Sequence, residues 1–276
     1  MKLLKKENPF YALLTGAIIG GLIGGASLAD TTQAVIDGTA SVMGAVVRVL
    51  SAGALAGILI ESGAAEKIAE TIVEKLGEKK AFLAIALSTM VISAVGVFIA
   101  VSVIIVAPIA ISVAKKVGLS KAATLLAMTG GCKAGNIISP NPNTIAVAKG
   151  FNLDLVQVMM NGFIPAIVAL TVTVLLATYL NKKLEPIKAT DMSEENSKTS
   201  EDKPTFAKAV VAPIVAIMLL AISPIGSILN IPALEAFKID SMIILPVAGI
   251  VGLIAMGKFK KVIPYTTSGI NKMTRE

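Results

Sequence analysis

Six polar side chains crowd into a dozen residues of an otherwise apolar stretch: Lys133, Asn136, Ser139, Asn141, Asn143 and Thr144. Their chemistry is that of binding. The chain has no histidine and only Cys132, which excludes a Ser-His-Asp triad, a His-based metal site and an intrachain disulfide. No aspartate-rich prenyl-type motif or metal-ligand cluster accompanies them, so no enzyme activity, catalytic residue or resident cofactor is expected. Amides and hydroxyls of this kind suit a solute rich in hydroxyl groups, or present oxygens to Na+. An ammonium at Lys133 attracts an anion. Pro140 and Pro142 punctuate the run, and an apolar segment resumes at Ile145. Asn143 and Thr144 are expected to cap that resuming helix, whose N-terminal N–H groups and partial positive charge suit a carboxylate. Two plainer accounts stand beside this one: an ordinary Pro-Asn turn on the outer surface, and a Lys133 that pairs structurally with carbonyls.

The elements that must position these groups are apolar. The chain has 276 residues, 55% of them hydrophobic and 16% charged, with a mean hydropathy of +0.81. Apolar runs of about 18 residues or more recur, long enough to cross a hydrocarbon core of roughly 30 Å. The fold class expected is an all-α polytopic membrane protein with about six full spans, a re-entrant helical hairpin and a broken helix. The spans are placed at about 10–28, 43–60, 156–180, 209–229 and 242–256, the hairpin at 81–114 and the broken helix at 121–150, interrupted at Gly130-Gly131. Irregular backbone at membrane depth must be buried in protein or line a cavity, and interrupted helices near the midplane are a recurring device of secondary transporters.

Smaller features fill in the plan. Gly16, Gly20 and Gly24, Gly21 and Gly25, and Gly53 and Gly57 repeat a four-residue spacing that lets helices approach closely. A loop carrying Asp30 and Asp37 separates the first two spans. Arg48 lies inside the second, either snorkelling to the interface or serving as a buried functional charge. In 62–80, Ile68, Ile72, Val73 and Leu76 share one face while Glu and Lys take the other, an amphipathic helix expected along the cytoplasmic surface. In the hairpin, Ser93, Gly96 and Ser102 collect near the predicted tip and join the candidate solute-binding residues. Residues 181–208 form a polar linker, expected to be mobile and solvated. Three regions result: a first transport repeat at 1–180, the linker at 181–208, and two further spans with the start of a second repeat at 209–276. The stretch 260–273 loosely echoes 30–43.

The net charge of +7 is a topology signal rather than a nucleic-acid footprint. With both termini cytoplasmic, the outer loops hold only Lys149 and Lys238, while Arg48 and Lys133 sit inside spans; every other Lys and Arg is cytoplasmic. That asymmetry fixes the expected orientation in the cytoplasmic (inner) membrane and opposes insertion in both directions.

Three stretches resemble the gluconate permease family of ion-coupled organic-anion transporters: AGILIESGAAEKIAETIVEKLGEKKA, the placement of Pro108 after a long apolar run, and ISPNPNTIAVAKGFNLD with its following helix. The resemblance runs from about Asn8 to the C-terminus. It implies two inverted repeats, each with a hairpin and a broken helix, of which this chain is similar to the first. It also implies symport of a small hydroxy-carboxylate such as gluconate, coupled to H+ or Na+. The chain departs from the family pattern at three places: Asn141 stands where the family has a histidine, Ala100 where it has an acidic residue, and Lys133 has no counterpart. The expected partners are a small anionic solute, the lipid bilayer, and a second half or a homo-oligomer; nucleic acid is not among them. The competing functions are an inactive truncated or scaffold membrane protein and an anion channel.

Overall fold

A computed structural model describes residues 9–97, 99–187, 203–237 and 239–273. The basic N-terminus at 1–8, most of the polar linker (188–202) and Lys238 lie outside the described residues. Those described are helical: α1 Pro9–Ile23, α2 Leu28–Glu61, α3 Ala64–Leu76, α4 Ala81–Ala94, α5 Ile99–Val117, α6 Lys121–Ile137, α7 Pro142–Gly150, α8 Leu155–Asn161, α9 Phe163–Asn181, α10 Phe206–Ala209, α11 Val211–Ile228, α12 Pro232–Glu235, α13 Ser241–Ala255 and α14 Val262–Met273. Four stretches among them are long and apolar enough to cross a membrane: Leu28–Glu61, Ile99–Val117, Phe163–Asn181 and Phe206–Ser223. The apolar helices at Phe10–Ile23 and Ser241–Ala255 are shorter.

The chain divides between Val47 and Arg48 into two compact units. In the first, α1 meets the start of α2 where Gly21 faces Thr31, so closely that a Cβ at Gly21 would overlap the threonine side chain. The four-residue glycine spacing does not act as a whole: Gly16 and Gly20 are open on that side, and Gly25 turns the chain at φ +88°. The stretch expected as a loop between the first two spans is helical, since α2 begins at Leu28 and takes in both Asp30 and Asp37. Local bonds make this possible. Ser27 Oγ accepts from the Asp30 N–H, and Gln33 Nε2 donates to Asp37 Oδ1 one turn on.

The second unit is built on α4, α6 and α9. Small residues bring α4 and α6 together: a Cβ on Gly131 would overlap the Ala86 carbonyl, and one on Gly135 the Met90 carbonyl. Gly130 meets Thr173 of α9 in the same way. Two buried hydroxyls of α4 are satisfied within the helix, with Ser88 Oγ donating to the Ala84 carbonyl at 2.7 Å and Thr89 Oγ1 to the Ala86 carbonyl at 3.0 Å. Such back-bonding keeps polar atoms in an apolar core without a free group. At the base of this block the Ser120 N–H donates to Asn181 Oδ1 at 2.6 Å, and the Ile187 N–H to the Leu119 carbonyl at 3.0 Å.

Two features add to the expectations here. First, α3 has the amphipathic pattern predicted, and protein buries Ile68 of its apolar face while Ile72, Val73 and Leu76 stay half-buried. Ala64, Ala65, Ile68 and Ala69 are buried, and Ser88 Oγ of α4 reaches the Ala69 carbonyl at 3.3 Å. The alanines allow that close seat. Second, the described ends of the linker are held. Lys203 Nζ lies 2.7 Å from Glu66 and 2.6 Å from Glu70 of α3. Burial works against its charge, but the two carboxylates outweigh that and raise its pKa above the ordinary lysine value. Beside it Lys75 covers the Phe206 ring at 5.3 Å from its centroid.

The tail helix docks on α2. Gly57 and Gly269 meet backbone to backbone, and one turn further on Glu61 Oε1 accepts from Ser268 Oγ and Lys272 Nζ, each at 2.7 Å. Here the glycine spacing at Gly53 and Gly57 does what the sequence suggests, since a Cβ on Gly269 would meet the Gly53 carbonyl.

Candidate functional site

The polar run lies on α6, α7 and the turn between them. α6 starts at an N-cap, Ser120, whose side chain accepts from the Ala123 N–H. It then passes unbroken through Gly130 and Gly131 to Ile137, so the glycine pair is not the interruption expected. Glycine costs a helix about 1 kcal/mol per residue relative to alanine. Here the backbone contacts with α4 and α9 offset that cost.

The interruption comes seven residues later, at 138–141. Pro140 and Pro142 have no N–H with which to continue the α6 ladder. The chain then turns into α7 through a reciprocal cap. Asn141 Oδ1 accepts from the Asn143 N–H at 2.7 Å and the Thr144 N–H at 3.4 Å, while Thr144 Oγ1 accepts from the Asn141 N–H at 3.1 Å. The cap is therefore Asn141, closed by Thr144, and not the predicted pair Asn143 and Thr144. Asn141 Nδ2 also donates to the Asn136 carbonyl and to Ser139 Oγ, and Thr144 Oγ1 donates to the Ser139 carbonyl at 2.5 Å. With proline at the first helical position and the next two N–H groups taken by Asn141, the start of α7 offers a carboxylate its dipole but not the free donors expected.

This separates the predicted residues into two sets. Ser139, Asn141 and Thr144 are buried and hold the turn closed. Lys133 and Asn143 are exposed and Asn136 half-buried, with Asn143 Nδ2 donating to Asn136 Oδ1 at 3.2 Å. Lys133 lies one turn before Asn136 and makes no ion pair among the described residues. An ammonium, an amide oxygen and an amide NH2 group thus line one accessible face beside the break.

The hairpin residues fare differently. Gly96, at φ +101°, is the turn after α4, and its Cβ position lies 3.9 Å from Pro140 and 3.8 Å from Ala52. The tip therefore abuts the break. Ser93 and Ser102 are fully buried and do not open onto the face that carries Lys133. Ser102 Oγ donates to the Val97 carbonyl at 3.3 Å, whereas Ser93 Oγ has no partner among the described groups.

A charged pair escaped the sequence. Arg48 holds Asp240 through two nitrogens: Nη2 lies 2.6 Å from Oδ2, and Nε lies 3.0 and 3.1 Å from the two oxygens. Arg48 therefore does not reach out alone to the interface. Burial would raise the Asp240 pKa, but the Arg48 bonds and the Met242 N–H bring it below the ordinary aspartate value. The one local signal was the N-cap position of Asp240 before the apolar run of α13.

Asn141→Ala should lower the melting temperature of the purified protein. A lost N-cap costs about 1 kcal/mol, and the Asn136 and Ser139 groups that it serves would lose a buried donor. Asn141→Asp keeps the acceptor and loses Nδ2, so it should fall between the two. A melting curve for Asn141→Ala that overlays the wild type would contradict this account of the break.

Over residues 1–270 the chain matches the family described as GntP family permease. It belongs to that family. Among its relatives, an "Uncharacterized transporter" of Haemophilus influenzae is 50% identical over 272 residues, covering 99% of this chain and 62% of the relative. A "Gluconate permease" of Bacillus licheniformis is 25% identical over 233 residues, covering 82% and 52%. The "Gnt-II system L-idonate transporter" of Escherichia coli is 24% identical over 225 residues, covering 81% and 51%. The chain thus spans between half and just under two thirds of the length of these GntP-family relatives. No solved structure matches it. Family membership together with the apolar helices makes it an integral membrane protein.

Proposed function

We propose that this chain is the solute-binding part of a secondary transporter that moves a small hydroxy-carboxylate, such as gluconate, across the cytoplasmic membrane. The observation that carries this reading is the accessible face of Lys133, Asn136 and Asn143 beside the α6–α7 break. A charged side chain inside the membrane costs about 3 kcal/mol on insertion scales and belongs against a cavity or a partner. An ammonium flanked by amides matches a carboxylate with neighbouring hydroxyls. The gluconate and idonate transporters among its relatives fit the same solute class.

The orientation follows from the Lys and Arg distribution, with both termini cytoplasmic. Coupling is to H+ or Na+, and Asn136 Oδ1 on the accessible face is an oxygen open to Na+. The exposed Lys133 face also calls for a covering protein surface, either a second inverted repeat or another copy of the chain.

The test is disruption of the reading frame in its source organism, followed by uptake of labelled gluconate and restoration of the gene. Saturable uptake should fall on disruption and return on restoration, and a protonophore or Na+ removal identifies the ion. Unchanged uptake of gluconate and of related sugar acids would overturn the proposal.

A further inference from the structure

At the far end of α7 from the break lies a second polar recess, a cleft of about 320 Å³ lined by Arg48, Lys149, Asp154 and Asp240 with Ile145 and Ala148 at its base. That volume is at the lower end of the range of about 300–1,000 Å³ typical of small-molecule sites. Four formal charges face it, and they are not equivalent. Asp154 Oδ1 caps α8 by accepting from the Val156 N–H at 2.8 Å. Asp240 caps α13 by accepting from the Met242 N–H at 2.9 Å and is also held by Arg48. Both carboxylates are therefore committed to helix ends. Lys149 is exposed and pairs with no carboxylate among the described residues. Arg48 is bound, but its side chain keeps 35% of its surface accessible, so an arriving anion has access to it.

We propose that this cleft is a second anion site, in which Lys149 and Arg48 bind the carboxylate of a small hydroxy acid. The inference rests on the reading that the transported solute is such an anion. Asp240 competes for Arg48 and so sets the affinity of the site. α7 joins the two places: its N-terminus forms the break beside Lys133, and its last turn carries Lys149 into the cleft. An anion captured here is one short helix away from the Lys133 face, which suits a station on the solute's path.

Titration calorimetry of gluconate into the purified, detergent-solubilised protein tests this, using the wild type, Lys149→Gln, Arg48→Gln, Asp240→Asn and Lys133→Ala. Removing a charge-assisted hydrogen bond should weaken binding at the cleft roughly tenfold, so Lys149→Gln and Arg48→Gln should each lose one binding event that Lys133→Ala retains. Asp240→Asn should strengthen that event by freeing Arg48. A structural brace would instead make Arg48→Gln and Asp240→Asn alike. Lys149→Gln carries the test if the Arg48 variant fails to fold, because Lys149 is exposed and unpaired among the described residues. Isotherms of Lys149→Gln and wild type that superimpose, or no gluconate binding by any variant, overturn the cleft site. Binding at the cleft with no gluconate uptake in the source organism overturns the transport proposal and leaves the site standing.

Discussion

Gly131→Val should sharply lower the stability of the protein and its abundance in the membrane. A Cβ at this position would overlap the Ala86 carbonyl and Thr89 Oγ1 of α4. The Ala86 carbonyl is backbone, so no rotamer change relieves the clash and the two helices must separate. Separation also undoes the neighbouring contact of Gly135 with the Met90 carbonyl, one turn along the same face. Overpacking commonly costs about 1–3 kcal/mol and occasionally more; a clash against the backbone of α4 places this variant at the upper end. Whole-protein stabilities are only about 5–15 kcal/mol, so the loss should be visible as low membrane abundance and early melting in detergent. Gly20→Val is the matched control, since that position is open, and it should express normally. A Gly131→Val protein with wild-type abundance and melting would show that α4 and α6 do not touch as described.

Lys133→Ala should have the opposite signature, with normal abundance and little or no uptake. Lys133 is exposed and bears no ion pair among the described residues, so its removal breaks no packing. Removing a charge from a helix of an integral membrane protein does not oppose insertion. The expected cost is to the solute: one charge-assisted contact is worth at least a tenfold loss of affinity. Lys133→Arg should recover part of the uptake, because the charge returns with a different shape. Wild-type apparent affinity in Lys133→Ala, at normal surface expression, would remove Lys133 from the site. The two substitutions lie two residues apart on α6 and separate what the helix does for the fold from what it does for the solute.

The candidate site was legible in outline and misread in detail. Residue types alone marked Lys133 to Thr144 as a polar break in an apolar chain, and the prolines placed its turn. Which member caps the helix was not legible. Asn141, Asn143 and Thr144 are all capping residues, and only the φ and ψ of the turn decide that Asn141 stands outside the helix and Asn143 within it. That choice in turn decides exposure, so it separates the buried Ser139, Asn141 and Thr144 from the accessible Asn136 and Asn143. The same holds at the hairpin, where Ser93, Gly96 and Ser102 look alike in sequence, yet Gly96 lies against Pro140 of the break while Ser93 and Ser102 are fully buried.

Glycine accounts for the largest misplacement. A Gly-Gly pair inside an apolar run carries two physical meanings: a weak point in the helix, and a place where another backbone can come close. Sequence offers both at Gly130-Gly131. The structure selects the second, because Ala86 and Thr173 occupy the space that two side chains would need. Likewise the stretch around Asp30 and Asp37 reads as a loop by polarity, but local side-chain bonds make it helix.

By itself the sequence determined the membrane class, the helical content, the amphipathic pattern of α3, the polar run at 133–144 and the permease family. These are properties of composition, period and motif, all carried by residues near one another in the chain. Tertiary structure alone decided that α3 packs against protein, that Lys203 fastens the far end of the linker to Glu66 and Glu70, and that Arg48 meets Asp240 192 residues away. Nothing local selects a partner for a lone charge among so many. The choice is made when packed helices bring two particular side chains within reach and withdraw them in part from the water that would otherwise serve them both.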